Sequence, residues 1–277
     1  MTQSILARAD RAAICLEPFP HLVVENALAP ELYESLSLTY PNLDAIAGAG
    51  QLENNKLYLR SAADIIDDAT IPKTWRDFFA FHCSQEFFLE VADFWEEQIY
   101  RLHPDLADHF GKQLRDFTIG LRGPGRHENE GNRAADIMLD CQFSMNSPVR
   151  TVSSVRGPHI DHPAKLFAGL LYFRHEDDDS EGGDLELYRM LRRYPQTSQE
   201  IAPEYVERSK SIPYGRNTLV MWLNSASSIH GVSPRGLTDQ PRRYVNFLGE
   251  CYSGSRPNYF TAFPRRGLFG LLDSLRT

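Results

Sequence analysis

The chain has 277 residues, 42% of them apolar and 11% aromatic, and a net charge of −8. That supplies a real core for one large domain, and the acidic balance disfavours a nucleic-acid surface. No segment approaches the roughly 18 apolar residues of a membrane span, and the charged N-terminus does not read as a secretory signal. The four cysteines (15, 83, 141, 251) form no C-x-x-C pair and no disulfide spacing, so a cytoplasmic protein is expected. The charge is uneven: residues 1–149 carry 12 basic and 23 acidic side chains, residues 150–277 carry 17 and 14. An arginine excess in the second half is either solvated surface or the lining of a pocket for anions.

In chain order, FPHLVVEN (19–26) reads as a β-branched strand. ALAPELYESLSLTYP (27–41) reads as a helix with Pro at its first turn and a Pro stop. A Gly-rich, polar stretch over 44–60 is expected to be loop. From 72 to 103 the spacing is helical: Trp75, Phe78, Phe79, Phe87, Phe88, Val91, Phe94, Trp95 and Ile99 recur three or four apart, as a core-packing stripe does. After residue 115 the period shortens to two. Segments 116–123, 136–146, 149–157, 164–175, 183–190, 217–224 and 242–252 are strand-like, separated by Gly, Pro and acidic turns. Strands without intervening helices indicate a mainly β (α+β) fold, a sandwich or jelly roll buttressed by N-terminal helices. The polar stretch 190–212 is expected to insert as a flap. The organisation expected is a helical support region (1–115), a core (116–255) and a C-terminal extension (256–277) within one compact domain.

Three His-x-Asp triplets occur: His103–Asp105, His159–Asp161 and His175–Asp177. The first closes the aromatic helix and the third opens an acidic turn, EDDD (176–179), which lacks calcium-loop spacing and reads as solvated. His159-Ile-Asp161 ends a predicted strand, so positions i and i+2 point the same way. His230 follows another strand. Two imidazoles and a carboxylate on one face would leave half of a metal's coordination sphere open. Within RRYVNF, strand geometry places Arg243 with Val245 and Phe247 on one face, and Arg242 with Tyr244 on the other. An inward arginine requires an anion. The alternation favours Arg243, with Arg242 as the alternative.

The order His159-x-Asp161, Tyr172, Gly182-Gly183-Asp184-Leu185, His230, Arg243-Tyr244 resembles the iron(II)/2-oxoglutarate-dependent oxygenases, particularly the prolyl-hydroxylase-like branch, over about residues 137–250. The resemblance implies a double-stranded β-helix (jelly roll, cupin-like) and Fe(II) held by His159, Asp161 and His230. It also implies 2-oxoglutarate and O2 as cosubstrates, with the distal carboxylate of 2-oxoglutarate held by Arg243 and Tyr172. Asn146 and Gln142 are candidates for a further polar contact to the cosubstrate. Retention of Asp161 favours hydroxylation over halogenation. The substrate expected is a small polar or anionic metabolite or saccharide intermediate. A protein side chain, or a binding protein whose jelly roll has lost its chemistry, is the alternative. Arg192, Arg193, Arg208 and Lys210 on the flap, with Arg150 and Arg156 before the triplet, are candidates to surround an anionic substrate.

Overall fold

The computed structural model describes residues 3–48, 50–123, 135–192 and 199–251. The expected extension at 256–277, and Arg193 with most of the middle of the flap, lie outside the described residues. Strand β1 (His21–Glu25) and helix α1 (Pro30–Leu38) fall where expected, and Pro30 occupies the first turn of α1. The stretch expected as loop contains a short helix α2 (Leu43–Ala47), capped by Asn42, and an edge strand β2 (Leu57–Arg60). A four-residue strand with every side chain at least partly exposed leaves little apolar alternation to detect. Helices α3 (Ala62–Ile65), α4 (Lys73–His82), α5 (Gln85–Leu102) and α6 (Leu106–Phe110) follow.

The aromatic stripe is therefore two helices. They divide at Ser84, whose extended backbone (ψ 163°) ends one and whose hydroxyl accepts the Phe87 N–H at 3.2 Å to cap the next. Ser84→Ala should lower stability by about 1 kcal/mol, read as a shift in urea midpoint at constant slope. The stripe is core, as its spacing implies: Trp75 and Phe79 each lie with ring centroids 4.6 Å from Phe143 of the sheet beneath. His103 caps α5 through its backbone and gives a buried Nε2–H to the Asn224 carbonyl at 3.1 Å. It is a structural residue.

The remaining strands are β3 (Ile119–Leu121), β4 (Ile137–Asn146), β5 (Lys165–Tyr172), β6 (Leu185–Met190), β7 (Val206–Ile212), β8 (Thr218–Leu223), β9 (His230–Val232) and β10 (Arg242–Cys251). They form two sheets: a larger one in the order β1-β8-β5-β10-β4-β2, with β3 parallel to β4, and a smaller one, β7-β6-β9. From β5 onward the chain passes back and forth between the sheets, with β6 and β7 a consecutive pair in the smaller one, and every pairing except β3–β4 is antiparallel. This is the expected mainly β jelly roll with helices against one face. The helices bury Phe143, Leu171, Met221, Val245 and Phe247 on the outer face of the larger sheet. The inner face, with Ala168, Leu170, Tyr172, Val220, Trp222 and Tyr244, packs toward the smaller sheet.

Two expectations change. Residues 149–157 form no strand, only isolated bridges at Val149 and Ser153. Side chains hold much of the segment instead: Asn54 Oδ1 accepts the Arg150 and Thr151 N–H groups, and the Ser154 hydroxyl donates to the Val232 carbonyl at 2.6 Å. The last part of the expected flap is sheet, because β7 pairs with β6 as an outer strand whose middle residues are all exposed and therefore polar.

Candidate metal centre and anion pocket

His159 and His230 come from separate parts of the chain, and a backbone bridge sets them side by side. The His159 N–H donates to the His230 carbonyl at 2.9 Å, and the reverse bond is 3.0 Å. Their ring centroids lie 4.2 Å apart, and Trp222 stands 4.6 Å from the ring of His230. Each imidazole gives its Nδ1–H to a main-chain carbonyl two residues earlier, Gly157 at 2.9 Å and Ser228 at 3.0 Å. Those bonds fix the tautomer and leave the Nε2 lone pairs as ligand atoms. Burial, which favours the neutral ring, holds both imidazoles below their usual pKa.

Asp161 completes the group. Its Oδ1 lies 4.0 Å from His159 Nε2 and its Oδ2 3.7 Å from His230 Nε2. One ligand atom from each of the three residues falls within a 4.8 Å cluster, and all three residues are buried. Burial by itself would raise the Asp161 carboxyl, but Lys165, at 3.0 Å from Oδ1, and the two imidazoles outweigh it. The group is held well below the usual carboxylate range. Two neutral nitrogens and one carboxylate on one side of a cleft can hold a divalent ion and leave positions open. The other triplets are not brought to this place. His175 pairs with Asp177 in its own turn, and His103 closes α5. His162, directly after the triplet, is half-buried.

The cleft has a cavity volume of about 190 Å³. His159, Asp161 and His230 line it together with Lys165, Arg156, Trp222, Tyr244, Asn246 and Arg242. Here the sequence expectation for β10 is corrected. The alternation is as read, but the face is reversed: Arg242, Tyr244 and Asn246 face the cleft, while Val245 and Phe247 join the helix-covered core. Arg243 is half-buried on that outer side, where its Nε donates to the Phe173 carbonyl at 3.0 Å and its guanidinium lies 5.3 Å from the Tyr40 ring.

Arg242 is 2% exposed. Its guanidinium carbon sits 5.0 Å from the rings of Tyr172 and Tyr214 and 4.8 Å from that of Tyr244. It donates to the Gly183 carbonyl (2.8 Å), the Tyr172 hydroxyl (3.3 Å) and Asn146 Oδ1 (3.5 Å), all uncharged. Tyr172 and Asn146 thus accompany Arg242 and not Arg243. The Asn146 Nδ2 is buried without a hydrogen-bond partner among the described residues. Burial, only partly offset by Arg242, pushes the Tyr172 hydroxyl up to about 12, so it remains a donor. Gln142 is occupied elsewhere, donating to Asp140 at 2.7 Å and accepting from Asn246 at 2.9 Å.

The Gly-Gly pair has a steric reason. Gly182 has φ +73°, and a Cβ there would lie 1.9 Å from the Pro234 carbonyl oxygen. Gly183 (φ +74°) passes between the stems of Arg235 and Arg242. Arg235, which sequence reasoning missed, is buried and paired with Asp178 at 2.7 Å. The EDDD turn is therefore only partly solvated, since its third residue is a buried counter-ion. Of the flap cations, Arg208 pairs with Glu186, Lys210 reaches His21, and Arg192 stacks on Tyr205. None of these three lines the cleft, and neither does Arg150.

No protein-family model matches the chain, and no curated protein does. Several solved structures are similar in overall shape. One is a prolyl-4-hydroxylase of Pseudomonas putida (11% identity, 84% of this chain and 93% of that one, TM-score 0.44). Another is a prolyl hydroxylase of Trichoplax adhaerens, solved with a peptide fragment of hypoxia-inducible factor (12%, 87% and 87%, 0.43). A third is the non-heme alpha-ketoglutarate-dependent epimerase of nogalamycin biosynthesis (12%, 89% and 84%, 0.46). At these values the likeness carries no functional conclusion; the side chains of the cleft do. Among the described residues, no helix is long and apolar enough to cross a membrane.

Proposed function

We propose that the chain is an Fe(II)- and 2-oxoglutarate-dependent dioxygenase that hydroxylates an unactivated C–H bond of a small polar or anionic metabolite or saccharide intermediate. The observation that carries this reading is one cleft with two features: a buried His159/Asp161/His230 cluster, and a buried arginine with only neutral partners. The cluster has the donors of a two-histidine, one-carboxylate iron site, whose open positions suit a bidentate keto acid and O2. When bound, ferrous iron with 2-oxoglutarate would supply the oxidation, consuming O2 and releasing succinate and CO2 as the substrate C–H becomes C–OH.

The chain's own part is binding and orientation. The Nδ1–H bonds to Gly157 and Ser228 aim the two Nε2 atoms, and Asp161 supplies the anionic ligand. Arg242 offers a planar donor pair to a carboxylate, with the Tyr172 hydroxyl beside it. This departs from the assignment that sequence alternation favoured, in that Arg242 and not Arg243 is proposed to hold the cosubstrate.

The test is anaerobic reconstitution. The protein should take up about one Fe(II) per chain and, with 2-oxoglutarate, show the weak visible band of a metal-chelated keto acid; with O2 it should form succinate. Asp161→Ala and His230→Ala should each abolish the band, whereas His175→Ala, outside the cleft, should keep it. A band that survives both ligand substitutions overturns the assignment.

A further inference from the structure

Lys165 is an odd residue to find beside a metal centre. Its ammonium lies 3.0 Å from Asp161 Oδ1 and its side chain is 16% exposed. A fixed positive charge against a ligating carboxylate repels the cation that the carboxylate is there to hold. Arg156 is a second cation lining the same cleft, and it and Lys165 both act electrostatically on His230. Its backbone carbonyl accepts the Val232 N–H at 2.9 Å, so it is held next to β9 and His230. Its carboxylate contact, Glu200 at 3.4 Å, is a pair with side chains 40% and 63% exposed and is worth little.

The remaining charges of the loaded site balance without these two. On the reading proposed above, on which this inference rests, a dication, Asp161, dianionic 2-oxoglutarate and Arg242 sum to zero. Lys165 and Arg156 are then surplus positive charge facing a common space whose other walls include Leu57, Val155, Leu170 and Val232. An anion shared by both cations removes the repulsion and turns it into attraction.

We infer that Lys165 and Arg156 form the anion-binding end of the substrate subsite, and that the substrate is a small molecule with an apolar body and one oxyanion group, a carboxylate or a phosphate. The oxyanion sits between the two cations, the apolar body lies against Leu57, Val155 and Val232, and the reacting carbon is held near the metal end. Both side chains determine specificity; neither is a ligand or a proton carrier.

The experiment is calorimetric titration of the full chain, loaded anaerobically with Fe(II) and saturating 2-oxoglutarate so that Arg242 is already occupied. Three probes share one six-carbon tail: hexanoate, hexyl phosphate and the neutral hexan-1-ol. At least one of the anions should bind about tenfold more tightly than the alcohol, and Arg156→Gln and Lys165→Gln should each weaken that anion about tenfold. The visible band of the loaded complex should persist in both variants. Arg150→Gln, exposed and outside the cleft, should bind the anion as the wild type does. Which anion wins identifies carboxylate or phosphate as the group. The proposal is overturned if hexan-1-ol binds as tightly as both anions, or if both Gln variants bind them unchanged. It is also overturned if Lys165→Gln loses the band, since the lysine would then serve the cosubstrate. Absence of the band in the wild type would refute the dioxygenase reading instead. The same titrations on the unloaded chain would then still report whether anion binding depends on Arg156 and Lys165.

Discussion

Arg242→Ala should weaken 2-oxoglutarate binding by about 2–5 kcal/mol, at least about thirtyfold in Kd, and leave ferrous-ion affinity nearly unchanged. The size follows from burial. The guanidinium is enclosed by the rings of Tyr172, Tyr214 and Tyr244, and its hydrogen-bond partners are neutral. A carboxylate that meets it there is desolvated, so removing the arginine leaves that charge buried and unpaired. Arg243→Ala, on the other face of β10, should cost 2-oxoglutarate binding less than about 1 kcal/mol. Its lost bond to Phe173 O and its stacking on Tyr40 should appear instead as a small drop in stability. Titrating 2-oxoglutarate into the two anaerobic ferrous variants separates the cases. A large loss on Arg243→Ala with little on Arg242→Ala would reverse the assignment, and little loss on either would remove the cosubstrate from the reading.

Why adjacent arginines were assigned to the wrong faces says what sequence patterning can reach. Alternation along β10 is legible, and it correctly separates Arg243, Val245 and Phe247 from Arg242 and Tyr244. It does not say which face is the cleft. Val245 and Phe247 look inward because they are apolar, and they are inward, toward the helices. The larger sheet is covered on both sides, and the face that lines the cleft is the one that carries Tyr244 and Asn246. In such a sheet the apolar side of a strand marks the helix-packed core.

The His-x-Asp spacing together with the family resemblance points to His159, Asp161 and His230, and closure of the jelly roll brings the distant His230 back against His159 through one backbone bridge. Lys165 gave no such sign. A lysine at the start of a strand is ordinary in sequence, and its meaning lies in a 3.0 Å contact that spacing alone does not reveal. Arg235 and Asp178 were hidden in the same way, one in a loop and one in an acidic run, since a buried ion pair across 57 positions has no local pattern.

Acid should destabilise the fold well above the pH at which ordinary carboxylates protonate, because two imidazoles are buried in structural roles. His82 is enclosed by Phe78, Phe81, Phe87 and Phe247. Its Nδ1–H donates to the Phe78 carbonyl at 2.7 Å and its Nε2 accepts the Ile5 N–H at 3.1 Å, an arrangement that only the neutral ring can make. Burial lowers its pKa from 6.5 to about 3, against the smaller opposing effect of the Phe78 bond. His103 is lowered to about 4 for the same reason, opposed by its bond to Asn224. In both cases the unfolded chain binds the proton first. Their contribution is therefore fully present above pH 6.5 and is lost as the pH falls toward the folded value. Between pH 7.5 and 5.0 each should cost about 2 kcal/mol, about 4 kcal/mol together. His21, His159 and His230 shift in the same direction and steepen the wild-type response. The decisive comparison is thus between wild type and His82→Gln, which keeps an amide in the pocket but cannot titrate. Urea unfolding of metal-free protein at the two pH values should show the variant losing about 2 kcal/mol less than the wild type. Equal losses would mean that His82 takes up its proton in the folded state, and that its contact with Ile5 does not require a neutral ring.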